Sequence, residues 1–176
     1  MKSSIFNRPH LVIMVGIPGS GRSYFAEHFA ETFKAPIISY DKLQQELFLN
    51  SLHDKASVKI INGVIYYILS ETLKTERTVI LDGPVFSKES NDLISKIAKQ
   101  FGYEPLYVWV QTDPITAKQR ALKHIAGKPV MSLDQFEELV KQFNPPKLST
   151  NIIVISGKHT YASQLKIVLK YLAEPI

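Results

Sequence analysis

Eight consecutive residues of this 176-residue chain carry the most chemistry: Gly16-Ile17-Pro18-Gly19-Ser20-Gly21-Arg22-Ser23. They follow a β-rich apolar run, Leu11 to Val15, and open a segment of helical period, the setting in which a G-x-x-x-x-G-K-[ST] sequence wraps a phosphate. Glycines are required because backbone N–H groups must turn inward and approach the anion more closely than a Cβ allows. The helix N-terminus that follows adds partial positive charge. On this reading Gly16, Pro18, Gly19, Ser20, Gly21, Arg22, Ser23 and Tyr24 hold the nucleotide phosphates. The Ser23 hydroxyl reaches Mg²⁺, and Arg22 reaches the β- and γ-phosphates. The alternative is an ordinary glycine turn between strand and helix, but three placed glycines, a basic residue and a serine together favour the phosphate loop. Arg22 stands where that motif has lysine. Its planar fork keeps the charge but is longer and bulkier than an ammonium, so nucleotide binding is expected more firmly than fast phosphoryl transfer.

Two carboxylates stand at the ends of further apolar runs: Asp41 after Ile37-Ile38-Ser39-Tyr40, and Asp82 after Val79-Ile80-Leu81. In a parallel sheet both fall on the edge that carries the loop, so all three can meet in one crevice. Asp82 is then placed to hold Mg²⁺, and Asp41 to accept a proton from a hydroxyl that attacks the γ-phosphate. Each has a plainer alternative. Asp41 could N-cap a helix beginning near Lys42, and Asp82 could form a turn with Gly83 and Pro84. A third feature is the basic stretch Ala117 to His124, broken by Gly127 to Pro129 before Leu133 to Phe143 resumes helical spacing. It reads either as a solvated face or as a lid that closes over phosphates, with Arg120 neutralising transition-state charge and Lys123 and Lys128 as weaker candidates. His124 and His159 have no partner pattern that suggests a metal, and are expected to be surface or satisfied histidines.

The elements that must position these residues are legible in the hydrophobic pattern. Apolar β-rich runs at Leu11 to Val15, Pro36 to Ser39, Thr78 to Leu81, Leu106 to Val110 and Asn151 to Ile155 alternate with helical segments. That alternation indicates an α/β fold with a parallel sheet covered on both faces. Phe25, Phe29 and Phe33 recur every four residues, with Ala26 and Ala30 beside them. Ile61, Val64, Ile65, Ile68 and Leu69, and later Leu93, Ile94 and Ile97, repeat at three and four. These are expected core faces. Asp113-Pro114 marks a helix start, as does Ser132 with Gln135, a capping box.

Composition limits the remainder. The chain has 21 Lys and Arg against 16 Asp and Glu, giving a formal charge of +5, with no cysteine. Disulfides, thiolate metal sites and a cysteine nucleophile are excluded. No apolar stretch approaches the roughly 20 residues needed to span a bilayer, and a cytoplasmic single domain over residues 1–176 is expected. Only four basic residues are arginine: Arg8, Arg22, Arg77 and Arg120. Arg22 and Arg120 fall at phosphate-handling positions. Arg8 and Arg77 precede strands and are expected to be structural.

Taken together, Gly16 to Ser23, Ile38-Ser39-Tyr40-Asp41, Val79 to Gly83, Asp113-Pro114 with Arg120, and Met131 to Phe136 leading to Phe143-Asn144-Pro145-Pro146 resemble a P-loop kinase of the nucleoside-monophosphate-kinase-like group. The likeness is strongest to the polynucleotide-kinase and zeta-toxin-type branch, with arginine in place of the Walker A lysine. The resemblance implies a three-layer P-loop NTPase fold, a five-stranded parallel sheet of order 2-3-1-4-5 and a small helical lid over about residues 114–147. It also implies ATP, with GTP second, together with Mg²⁺ and transfer of the γ-phosphate to a hydroxyl acceptor. Asp41 matches the substrate-side base and Arg120 the lid arginine. Polynucleotide kinases commonly carry an arginine three residues after that aspartate, whereas this chain has Gln44. A nucleic-acid acceptor is therefore disfavoured against a small-molecule or nucleotide-like one. A nucleotide-binding regulatory protein with little transferase activity is the second expectation, and a plain ATP or GTP hydrolase ranks third.

Overall fold

The computed structural model describes residues 9–48, 55–83, 88–123, 131–146 and 151–173. Five strands are observed: β1 (Leu11–Val15), β2 (Ile37–Ser39), β3 (Val79–Asp82), β4 (Pro105–Gln111) and β5 (Ile152–Ser156). Among the described residues they alternate with α1 (Arg22–Phe33), α2 (Tyr40–Phe48), α3 (Lys55–Leu73), α4 (Lys88–Gln100), α5 (Pro114–Ala121), α6 (Leu133–Gln142) and α7 (Tyr161–Ala173). All strand pairs are parallel, in the order β2-β3-β1-β4-β5. Both the α/β class and the strand order anticipated for the chain are therefore present.

Strand periodicity of two divides the sheet residues between two cores. Leu11, Ile13, Val79 and Leu81 pack with Ile61, Ile65 and Leu69 of α3 and Ile94 and Ile97 of α4. Val12, Met14, Ile80, Val108 and Val110 pack with Phe25 and Phe29 of α1 and Val168 and Leu172 of α7. The sheet is thus the middle layer of three. Burial of each large side chain such as Phe25 contributes roughly 1.5–3 kcal/mol. The helical starts also follow their local chemistry. Asp113 Oδ1 accepts the Thr116 N–H at 2.9 Å, with Pro114 at the first helical position. Ser132 and Gln135 form the reciprocal capping box, with bonds of 3.2 and 2.9 Å.

Three expectations are corrected. Leu93 is 40% exposed, whereas Ile94, Ile97 and Ala98 are buried. The buried stripe of α4 is centred between positions 94, 97 and 98, and Leu93 lies about 100° behind Ile94 on the helix wheel. α2 begins at Tyr40 rather than near Lys42, so Asp41 lies inside its first turn, and the Ser39 hydroxyl accepts the Lys42 N–H at 3.4 Å. The basic helix is shorter than its composition suggests, because α5 ends at Ala121 and the Leu122 N–H bonds the Lys118 carbonyl as C-cap. His124, Gly127, Lys128 and Pro129 lie outside the described residues, as does Arg8.

Arg77 serves the fold, at the edge of the sheet opposite the loop. Its guanidinium donates to the Lys34 carbonyl, and its own carbonyl accepts the Tyr103 hydroxyl at 2.9 Å. Among the described residues no helix is long and apolar enough to cross a membrane.

Gly63 sits in the middle of α3 on its exposed side, and a Cβ there would meet no atom within 4 Å. Replacing it with alanine removes backbone freedom from the unfolded chain at no steric cost. Gly63→Ala is expected to stabilise the protein by about 0.5–1 kcal/mol, measured by urea denaturation.

Candidate functional site

Strand register brings the sequence-marked residues together at one sheet edge. Asp82, the last residue of β3, lies level with Met14 of β1 on one side and Ser39 of β2 on the other. The glycine loop starts two residues beyond Met14, and α2 with Asp41 in its first turn starts directly after Ser39. The loop, Asp82 and Asp41 therefore share the carboxyl edge of the sheet.

The loop is shaped by backbone bonds. Ser20 N–H donates to the Ile17 carbonyl at 3.1 Å, and Phe25 N–H donates to the Gly21 carbonyl at 3.1 Å, which starts α1. Gly21 caps this helix with φ 103° and no side-chain hydrogen bond. No side chain at the cap competes for the first N–H groups of α1, which suits them to an anion. The outer side of the loop is pressed against two other elements. At Gly19 (φ +74°) a Cβ would overlap the Ala117 carbonyl of α5. At Gly157, in the turn after β5, a Cβ would overlap both the Ser20 carbonyl and the Thr112 hydroxyl. Thr112 Oγ1 also donates to the Ser20 carbonyl at 2.9 Å. Thr112 and Gly157 are thus parts of the loop's seat that lie outside the motif.

Asp82 is buried to 3% exposure and its Oδ1 has no hydrogen-bond partner. Burial raises its pKa. The Arg22 charge and a hydrogen bond from Ser23 oppose that rise, while the charges of Asp41 and Glu27 add to it. An orphaned, buried carboxylate oxygen beside a serine hydroxyl suits a hard divalent cation, and Mg²⁺ is commonly held by one or two protein oxygens with phosphate and water completing its shell. Ser23 and Asp82 fit that donor set. Among the described residues there is no cluster of three or more His, Cys, Asp or Glu that would make a metal site from protein ligands alone, and His159 is exposed. Asp41 is exposed, within electrostatic range of Asp82. Lys42 pairs with Glu27 at 2.9 Å and so ties α2 to α1 across this edge.

The stem of Arg22 lies against the first loop glycine, its Cγ 3.2 Å from where a Cβ on Gly16 would stand. Its Nη1 donates to the Gly83 carbonyl, just beyond Asp82. Arg120 is likewise occupied, with its Nη1 bonded to the Gly157 carbonyl at 2.9 Å. That contact is on the β4–β5 side, away from Asp41 on the β2 side. Lys118 pairs with Glu137 at 3.2 Å, joining α5 to α6, so part of the basic run is neutralised by α6. Lys158 pairs with Asp113 at 2.5 Å and, with the Thr116 N–H, holds its carboxyl well below the usual range. A cavity of about 610 Å³ opens on the same side, between Ile17, Trp109, Gln111, Phe143 and Lys158, and Asp41 and Asp82 do not line it.

Comparisons with known proteins bear on the family and the fold. Residues 11–146 match a family described as an AAA domain. The fold is similar to Chaetomium thermophilum Kti12, solved in complex with ADP-AlF3, at TM-score 0.73 and 18% identity, covering 91% of this chain and 96% of that one. It is similar to a gluconokinase from Sinorhizobium meliloti at TM-score 0.68 and 16% identity, covering 94% and 92%. It is also similar to the Mycobacterium tuberculosis APS kinase CysC, solved with AMPPNP and APS, at TM-score 0.66 and 16% identity, covering 95% and 99%. No curated protein matches the chain. The three-layer fold is that of P-loop NTPases, and its neighbours include small kinases.

Two predictions follow from the seat of the loop and from the buried carboxylate. Gly157→Ala is expected to push the Ser20 carbonyl out of place and weaken nucleotide affinity at least about tenfold by fluorescence titration, with the circular dichroism spectrum and the affinity of Gly63→Ala unchanged. For Asp82, a raised folded-state pKa means that the folded state binds its proton more tightly than the unfolded state. Its penalty is absent below the ordinary carboxylate value near 4, grows as pH rises through the raised pKa, and is complete above it. Asp82→Asn is therefore expected to raise the melting temperature of the nucleotide-free protein at pH 8 by about 2–4 °C, and to raise it less at pH 4.

Proposed function

Because the chain belongs to the AAA domain family over residues 11–146, we propose that it is an ATP-dependent phosphotransferase acting on a hydroxyl of a small-molecule or nucleotide-like acceptor. The observation that carries this reading is the buried Asp82, with an unbonded Oδ1, flanked by the Ser23 hydroxyl of the loop on one side and Asp41 on the other. A plain phosphate-binding turn requires no buried carboxylate. A site that gathers a triphosphate, a cation and an acceptor makes use of all three groups.

The loop amides of Gly16 to Tyr24 and the N-terminus of α1 hold the β- and γ-phosphates. Ser23 and Asp82 hold Mg²⁺, which when bound neutralises charge on the phosphate oxygens. Asp41, exposed and first in its helix, orients the acceptor hydroxyl and receives its proton as the oxygen attacks the γ-phosphorus and the ADP leaves. Arg22 supplies positive charge beside the phosphates. Arg120 braces the turn after β5 in this conformation, and it neutralises transition-state charge only on leaving the Gly157 carbonyl. The nucleotides named for the Kti12 and APS kinase structures support ATP over GTP.

One observation favours a second reading, a nucleotide-binding switch with slow transfer. The Arg22 guanidinium is already bonded to the Gly83 carbonyl, and accurate placement of charge on the transferring group is what phosphoryl transfer demands. A screen of hydroxyl acceptors with γ-labelled ATP separates the two. Under the kinase reading Asp41→Asn lowers transfer by at least about 100-fold while ATP affinity changes less than about threefold. Stoichiometric ATP binding with no transfer to any acceptor, and none gained by Arg22→Lys, would overturn it.

A further inference from the structure

The position occupied by Arg22 is where the loop motif brings a cation to the phosphates, and here the side chain donates to the Gly83 carbonyl. Gly83 directly follows Asp82, whose carboxylate is buried, keeps one oxygen unbonded and shares its surroundings with the further negative charges of Asp41 and Glu27. Lys42 pairs with Glu27 at 2.9 Å, and the guanidinium is the positive charge that acts on Asp82, from its anchor on the next residue. A fixed charge there attracts phosphate oxygens and repels any second cation approaching Asp82. The anchor uses one N–H of a fork that has five, so the remaining donors stay available to phosphate oxygens. The three donors of a lysine radiate from one nitrogen, so it bonds two partners only where both approach that single atom, whereas the arginine fork spreads its donors over three nitrogens.

We propose that Arg22 sets the cation requirement of this site: anchored on the Gly83 carbonyl, its guanidinium takes over part of the divalent charge beside Asp82, so that nucleotide phosphates are held with little dependence on Mg²⁺. The inference rests on the reading of the loop as a nucleotide site and concerns how that site is neutralised. It also accounts for an arginine at a position where lysine is the motif residue. The arrangement favours retention of nucleotide when free Mg²⁺ is scarce, at the expense of charge placed directly on the transferring phosphoryl group.

The test uses the full chain and a fluorescent ATP analogue, titrated with Mg²⁺ and again with excess EDTA, in the native protein and in Arg22→Lys. EDTA is expected to weaken native binding by less than about threefold and Arg22→Lys binding by at least about tenfold. A second measurement needs no nucleotide. Manganese(II) binding, followed by electron paramagnetic resonance, is expected to tighten at least about tenfold in Arg22→Gln, with the gain removed by adding Asp82→Asn. A native protein that binds the analogue only with Mg²⁺ overturns this inference and leaves the nucleotide reading standing. A native protein that binds no analogue in either buffer overturns both. Equal manganese affinity in the native protein and Arg22→Gln also overturns the inference.

Discussion

The hydrogen-bonded position of β3 between β1 and β2 sets the level at which everything else in the site must meet. With Asp82 opposite Met14 on one side and Ser39 on the other, the loop leaving β1 and the helix following β2 converge over a single carboxylate. A slip of one residue in β3 would turn the Asp82 side chain to the other face of the sheet and carry Val79 and Leu81 out of their core. The same apolar side chains that fix the register for packing thus fix it for chemistry. All four residues of β3 are buried, which leaves the strand little freedom to shift.

That arrangement has an energetic cost, and its location is informative. Asp82 Oδ1 and the Ser20 hydroxyl are buried without hydrogen-bond partners, one at the end of β3 and the other in the loop. Such groups are destabilising in isolation and persist where surrounding packing holds them for a ligand. The two cores above and below the sheet supply that packing. The tension between a buried carboxylate and its incomplete neutralisation also explains why Arg22 reaches to the end of β3.

The loop is equally a tertiary object. Its glycines satisfy local dihedral needs, but its outer side is shaped by Ala117 of α5, Thr112 after β4 and Gly157 after β5. Arg120 joins this seat by bonding the Gly157 carbonyl, and α5 is joined to α6 by the Lys118–Glu137 pair. Motion of α5 is therefore mechanically connected to the loop through close backbone contacts, whereas α6 is joined to α5 by an exposed ion pair, which transmits displacement less directly.

Much of this was legible in the residues. The alternation of apolar runs and helical stripes, the glycine-rich loop between β1 and α1, the Asp113 cap and the Ser132–Gln135 capping box depend on neighbours within a few positions, and each stands where its pattern places it. Leu93 was misleading because its spacing from Ile97 is also helical, and only the sheet decides which stripe is buried. The sequence by itself determined that Arg22, Ser23, Asp41 and Asp82 could lie on one edge of a parallel sheet, since strand order in the chain and the position of each residue relative to its strand are local properties. It could not reveal that Gly157 and Thr112 seat the loop, that Arg120 is turned to Gly157, or that Arg22 is anchored on Gly83. Those contacts join residues 37 to 137 positions apart in sequence. Only the folding of the sheet, with β4 and β5 on one side of β1 and β3 on the other, brings them within reach.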